Sequence, residues 1–198
     1  MRHPVGATAV VVEAEDGEGA AAAGRAAEFG VVRVQPAVWQ PAYVGLGSNL
    51  GDSRDYLRRA TARIAAFDDT RVMFSSSHYR SVPFGPVEQG AFVNSVAAVL
   101  TRQAPADFLK SLRALERELG RAETRVRWGP REIDLDLLVY GDATLTTTEL
   151  TLPHPGIPER DFVLYPLRDI APQLLIPGMG RVAELAARVA DRGIELLD

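Results

Sequence analysis

The chain has 198 residues, 46% of them hydrophobic and 24% charged, which is enough for one good core and one main domain. A net charge of −4 and an isoelectric point near 5.5 argue against general nucleic-acid affinity, which needs a net basic surface. The absence of cysteine excludes disulfides and thiolate metal sites, no G-x-x-x-x-G-K-[ST] P-loop occurs, and no apolar run is long enough to span a membrane.

Residues 1–41 read as an N-terminal extension, partly flexible. Val10 to Val12 suit a short strand, Glu13 to Ala27 form an acidic, alanine- and glycine-rich run, and Val31 to Val34 suit an edge strand ended by Pro36 and Pro41. No basic region followed by an apolar stretch opens the chain, so the expected setting is cytoplasmic. The core domain is expected over 42–198. It begins with a strand, Tyr43 to Leu46, running into Gly47-Ser48-Asn49-Leu50-Gly51-Asp52. The spacing of Gly45, Gly47 and Gly51 is one residue too long for a dinucleotide fingerprint. The segment reads instead as a strand-to-helix turn whose glycines permit positive φ, with Asp52 or Ser53 capping a helix that carries Leu57, Ala60, Ile64 and Phe67 on one face.

A strand from Arg71 to Tyr79 follows, then a proline- and glycine-rich loop, Ser81 to Gly90, then a strand from Phe92 to Leu100. Pro105 opens the next helix, with Phe108, Leu112, Leu115 and Leu119 as its stripe and Gly120 as its stop. The loop 121–131 leads to a strand in which Ile133, Leu135, Leu137 and Val139 alternate with Asp134 and Asp136, and Gly141-Asp142 turns the chain back. Helical segments are predicted near 158–170 and 182–189. The order β-α-β-β-α-β with C-terminal additions predicts an α+β domain of ferredoxin-like type, its helices packed on one face of a mainly antiparallel sheet.

Alternation puts both aspartates on one face of their strand, and two carboxylates there can hold magnesium, which prefers oxygen and takes only one or two carboxylates besides water and phosphate. An isolated D-x-D is more often a solvated acidic face. Here Arg121, Arg125, Arg127 and Arg131 stand just upstream, opposed within the loop only by Glu123, and guanidinium groups pair with phosphate oxygens in planar forks. That combination favours a nucleoside triphosphate and a loop able to act as a lid. Lys110, in the second helix, is the one lysine. Phe92 and Asn94 share a face of their strand, an aromatic ring beside an amide that donates and accepts, which suits a flat heterocycle. Phe162 is a second candidate wall, the loop Ser81 to Pro86 offers backbone groups, and His154, between prolines, favours a surface or ligand contact over a core role. The other histidines, His3 and His78, are too distant in sequence to form a metal cluster with it.

Gly45 to Gly51, Tyr79-Arg80-Ser81, Phe92-Val93-Asn94, Arg127 to Leu138, Leu152 to Pro155 and Arg160-Asp161-Phe162, taken together and in this order, resemble the 6-hydroxymethyl-7,8-dihydropterin pyrophosphokinases of folate biosynthesis over about Ala42 to Pro177. The resemblance implies transfer of the terminal pyrophosphoryl group of ATP to the pterin's hydroxymethyl oxygen, with two Mg2+ ions on Asp134 and Asp136. It further implies that Phe92 and Phe162 sandwich the pterin, that Asn94 reads its edge, and that Ser81, Val82 and Phe84 complete that pocket. Glu116, Arg121, Trp128, Arg131, Thr151, His154 and Arg160 fall on the ATP side, with Arg121 and Arg131 also assisting catalysis. The expected partners are these two small molecules alone, with no nucleic acid or membrane, and the expected state is a monomer. Val82, Glu123, Glu149 and Pro155 depart from the family pattern, and Glu123 would repel phosphate where an arginine is common. An RNA-binding module of the same shape is disfavoured by charge and by the missing aromatic RNP pattern. An inactive relative is disfavoured because Asp134, Asp136, Arg131, Asn94, Phe92 and Phe162 are all present.

Overall fold

Strand β1 (Gln40–Ser48) is the spine of the sheet, and its burial alternates residue by residue, as a strand with two unlike faces must. The computed structural model describes residues 38–84, 86–121 and 129–197. After β1 come α1 (Ser53–Ile64), β2 (Thr70–Ser75), β3 (Tyr79–Ser81), β4 (Phe92–Thr101), α2 (Pro105–Glu118) and β5 (Asp134–Tyr140). The sheet order is β10-β3-β4-β1-β5, with β2 also paired to β4, where β10 is Glu195–Leu196 near the C-terminus. Every pairing is antiparallel. This is the expected βαββαβ arrangement, except that the predicted strand 71–79 is broken in two. The Ser76 hydroxyl accepts from Val96 N–H at 2.9 Å at the break, so a side chain supplies the cross-strand bond there.

The residues of β1 that face α1 and α2 are Ala42, Val44 and Leu46, all buried. With Leu57, Ala60 and Ile64 of α1, Phe108, Leu112 and Leu115 of α2, and Leu135 and Leu137 of β5 they form the main core. Asp52 caps α1 through its carboxylate, which accepts from Asp55 N–H at 3.0 Å. Phe67 lies beyond the end of α1 and meets Phe108 edge to face at 6.3 Å. α2 ends at Glu118, where Leu119 and Gly120 turn the chain out.

Beyond β5 the chain forms two short hairpins, β6 (Leu145–Thr146) with β7 (Thr151–Leu152) and β8 (Leu175–Ile176) with β9 (Gly180–Arg181). A 3-10 turn (Ile157–Glu159), α3 (Asp161–Ile170) and α4 (Val182–Arg188) complete it. α3 and α4 cover part of the opposite face of the sheet, where Val96, Leu138 and Val139 meet Val163, Leu164 and Leu167. Helices therefore pack on both faces, not on one as expected. The open remainder of that second face holds the site.

Two further expectations are corrected. Gly45 and Gly47 are extended strand residues within β1, and of the three loop glycines only Gly51 takes positive φ, at 65°. Val139 does not share a face with Leu135 and Leu137. The register of β1 against β5 slips between Tyr43 and Val44, a bulge that turns both Leu138 and Val139 toward α3. The expected strands at 10–12 and 31–34 lie outside the described residues. Among those described, no helix is long and apolar enough to cross a membrane.

Candidate active site

The register places the chemistry in rows across the sheet. Gly47 is opposite Asn94 on one side and Asp134 on the other, and Gly45 is opposite Val96 and Asp136. Directly paired residues point to the same face, so the two glycines form a bare floor between the Asn94 strand and the aspartates. A Cβ on Gly47 would sit 3.2 Å from Asn94 Oδ1 and 3.8 Å from the Phe92 ring. Hydrogen at these positions keeps the floor clear.

Two concavities meet over this floor. The first, of about 310 Å³, is lined by Phe84, Phe92, Asn94 and Phe162, with Ser81 and Val82 at its side and Arg160 also reaching it. Phe84 meets Phe162 edge to face at 6.1 Å, and the Arg160 guanidinium lies 5.8 Å from both rings. Asn94 is buried, and its amide donates to Ser81 Oγ at 2.9 Å. The second concavity runs along the outer edge of β5 past Glu116, Arg121 and Thr151, with Glu149 and Pro155 at its rim. Arg131, Asp134, Asp136 and His154 line both.

Charge is concentrated where the two meet. Asp134 accepts from Arg121 Nη1 at 2.6 Å and from Arg131 Nη1 at 2.5 Å. Asp136 has a looser partner, Arg160 Nη1 at 3.6 Å. Burial at the base of the cleft raises the Asp136 carboxyl above the usual range, Asp134 adds to this, and His154, Arg160 and Arg131 oppose it. Burial lowers His154 below its ordinary value against the pull of Asp136. The His154 Nδ1 accepts from Gly156 N–H at 3.0 Å, so in the neutral ring the proton is on Nε2.

Glu116 is engaged internally. Its Oε1 accepts from Leu135 N–H at 2.7 Å and from Arg121, so a carboxylate on α2 closes the unpaired edge of β5 and holds Arg121 beside Asp134. Burial pushes this carboxyl up to about 7, against the backbone bond from Leu135 and the charge of Arg121. The other predicted residues all reach the site, apart from Trp128, which lies outside the described residues together with Glu123, Arg125 and Arg127. Arg160 lines the aromatic concavity, not the charged one.

Four contributors escape a reading by residue type. Gly45 and Gly47 offer no side chain to recognise. Arg192, from the tail after α4, lies 4.5 Å over the Phe84 ring, and its N–H donates to the buried Asp161 carboxylate at 2.9 Å. Asn49 bonds to both sides of the site. Only Asn49 has a signal in sequence, as the one amide in the glycine loop.

Asp134 and Asp136 suit magnesium as hard oxygen donors on one face, and the ion needs no more protein carboxylates than these. Among the described residues no third acidic or histidine side chain joins them in a metal-binding group.

The family model for 7,8-dihydro-6-hydroxymethylpterin-pyrophosphokinase matches residues 43–172. The 2-amino-4-hydroxy-6-hydroxymethyldihydropteridine pyrophosphokinase of Pseudomonas aeruginosa is 44% identical over 80% of this chain and 97% of its own length. That of Methylorubrum extorquens is 42% identical over 79% of this chain and 98% of its own. The fold is similar to that of wild-type Plasmodium falciparum HPPK-DHPS solved with pteroate, with a TM-score of 0.59 at 16% identity, over 76% of this chain and 42% of that one. The chain thus spans less than half of that solved chain but nearly all of these two bacterial relatives. On the match across 43–172 and the identity to these relatives, the chain belongs to the 7,8-dihydro-6-hydroxymethylpterin-pyrophosphokinase family.

Proposed function

We propose that this chain transfers the terminal pyrophosphoryl group of ATP to the hydroxymethyl oxygen of 6-hydroxymethyl-7,8-dihydropterin, a step of folate biosynthesis. The carrying observation is that an aromatic concavity and a cationic one share Arg131, Asp134, Asp136 and His154 as a common wall. A flat heterocycle in the first and a triphosphate in the second would bring hydroxyl and β-phosphorus together at that wall. The new bond joins the pterin oxygen to Pβ, the bond from Pβ to the α,β-bridging oxygen breaks so that AMP leaves with that oxygen, and the hydroxyl proton is released to solvent.

In this reading Phe92 and Phe162 face the pterin rings, Phe84 packs beside Phe162, and Asn94 meets the ring edge with its position fixed by Ser81. Ser81 and Val82 bound the pocket. Arg121 and Arg131 neutralise Asp134 until phosphate oxygens compete for them. Glu116 holds Arg121 in place, Thr151 and His154 flank the nucleotide, and Arg160 reaches toward the phosphates from the aromatic side through Asp136, with Trp128 assigned to the same substrate. Asp134 and Asp136 would hold two Mg2+ ions, which when bound supply charge neutralisation on the polyphosphate. Catalysis then rests on placement and electrostatics, as phosphoryl transfer in general does. A monomer as the working unit and a cytoplasmic setting are part of this proposal.

The test is AMP release from ATP and magnesium, with and without the pterin, using Asp136→Ala as control. Pterin-dependent AMP that vanishes in the variant is the expected result. No AMP from a protein that binds both substrates would overturn the catalytic assignment and leave an inactive relative.

A further inference from the structure

We infer that Asn49 is a positioning residue that couples occupancy of the aromatic cleft to the placement of Arg131 in the cationic one. This deepens the reading above and rests on it. Asn49 is the first residue after β1, between the two concavities. Its N–H and that of Leu50 donate to the Arg131 carbonyl oxygen at 3.0 and 3.2 Å, and its Oδ1 accepts from Arg131 N–H at 2.7 Å. Both peptide groups of Arg131 are therefore held, and its guanidinium reaches Asp134 at 2.5 Å. On the other side the Asn49 amide donates to Gln89 Oε1 at 2.9 Å and to the Gly90 carbonyl oxygen at 3.1 Å. Gln89 lines the aromatic cavity, three residues before Phe92.

The orientation of this amide is set by its partners. Arg131 N–H can only donate, so the oxygen must face it, and the Gly90 carbonyl can only accept, so the nitrogen must face it. One planar group thus has its acceptor on the phosphate side and its donors on the pterin side. A shift of residues 89–90 as the pterin seats would turn the amide and move the Arg131 backbone. The reverse holds when phosphate draws Arg131, since coupling between binding sites is reciprocal.

The experiment measures the dissociation constant of the magnesium complex of α,β-methylene-ATP, which cannot be cleaved between Pα and Pβ, with and without saturating 6-hydroxymethyl-7,8-dihydropterin. The ratio of the two is the coupling factor. For the wild type it is expected to be at least about tenfold. In Asn49→Ala it should fall by about fivefold or more, the effect of losing a part-buried hydrogen bond. Gln89→Ala leaves the Arg131 bracket intact, so nucleotide binding without pterin should stay at the wild-type value while the coupling factor drops. Gln89→Glu, which keeps the acceptor, should restore it. A merely structural role would weaken each ligand separately and leave the ratio alone. If Asn49→Ala does not fold, the Gln89 pair carries the test by itself. A wild-type factor of one, or an unchanged factor in Gln89→Ala, overturns the coupling. A wild type that binds neither ligand overturns the functional reading with it.

Discussion

Gly47→Ala should separate substrate binding from stability. The residue is extended, so alanine meets no backbone strain, and in a strand it relieves the entropic cost of glycine by about 0.5–1 kcal/mol. The new methyl carbon lands 3.2 Å from Asn94 Oδ1, closer than such atoms ordinarily approach, and 3.8 Å from Phe92. Asn94 cannot retreat freely, because its amide is buried and bonded to Ser81 Oγ at 2.9 Å. Overpacking of this kind costs roughly 1–3 kcal/mol, so the net loss of unfolding free energy should lie between about 0 and 2.5 kcal/mol. The pterin loses more, since the methyl rises from the floor and displaces the amide expected to read its edge. A loss of about 2 kcal/mol is a weakening of roughly thirtyfold in pterin affinity. Nucleotide affinity should change less than about twofold, the cationic cleft lying beyond Asp134. Calorimetric titration of each ligand, with urea unfolding of the same samples, reads all three quantities. At Gly45 the added carbon would meet only the Leu138 side chain, at 3.4 Å, so Gly45→Ala should cost less. A folded Gly47→Ala protein that binds pterin like the wild type would refute the placement of the pterin over this floor.

Asp136→Ala should lower pterin-dependent AMP release by about 10²–10³-fold or more while its melting temperature holds or rises, since it removes a like charge beside Asp134. Near-normal turnover in that variant would show that the metal assignment is wrong. Asn94→Ala should weaken pterin more than nucleotide, and equal loss of both in paired titrations would sink its role as the reader of the ring edge. Glu116 gives a pH prediction for metal-free protein. Its carboxyl goes from 4.5 unfolded to about 7 folded, so the stability it contributes is fully present below pH 4.5 and is lost as pH rises through 7. That gap corresponds to about 3 kcal/mol. Glu116→Gln has no such titration, so urea unfolding at pH 4.5 and pH 8 should show the variant gaining on the wild type. A difference between the two proteins that is the same at both pH values would refute the assignment.

Residues with distinctive chemistry were legible in the sequence. Asp134 and Asp136 stand on one face because strand alternation has a period of two, and the register then brings Phe92 and Asn94 to the same face two strands away. Alternation within each strand could be read locally, whereas strand order came from the pattern of elements. The tail could not be read at all. Arg192 reaches Phe84 only because β10 pairs with β3 and Asp161 fastens Arg192 N–H, and neither contact has a signature short of the fold itself. Glu116 was assigned to the nucleotide side by resemblance. Its bond to Leu135 N–H shows a second task, that of satisfying an edge strand, which a reading by family pattern does not reveal.

The two errors in the strands have one physical origin and bear on the same site. A glycine repeat and an apolar repeat were each read as local signals, but both are answers to what lies across the sheet. Gly45 and Gly47 lie in extended strand, where the backbone does not turn, and leave a bare floor between the Asn94 strand and the aspartates, with Asn94 Oδ1 crowding any Cβ at Gly47 and the Leu138 side chain one at Gly45. Leu138 and Val139 are consecutive apolar residues because the bulge opposite Tyr43 and Val44 turns both toward α3. Without the bulge Val139 would face α2 and leave the α3 side with one apolar anchor fewer. With it, the strand presents two carboxylates to the cleft and then at once an apolar base for Val163, which follows Phe162 on α3. The irregularity in β5 is therefore part of what sets the aromatic wall beside the acidic one.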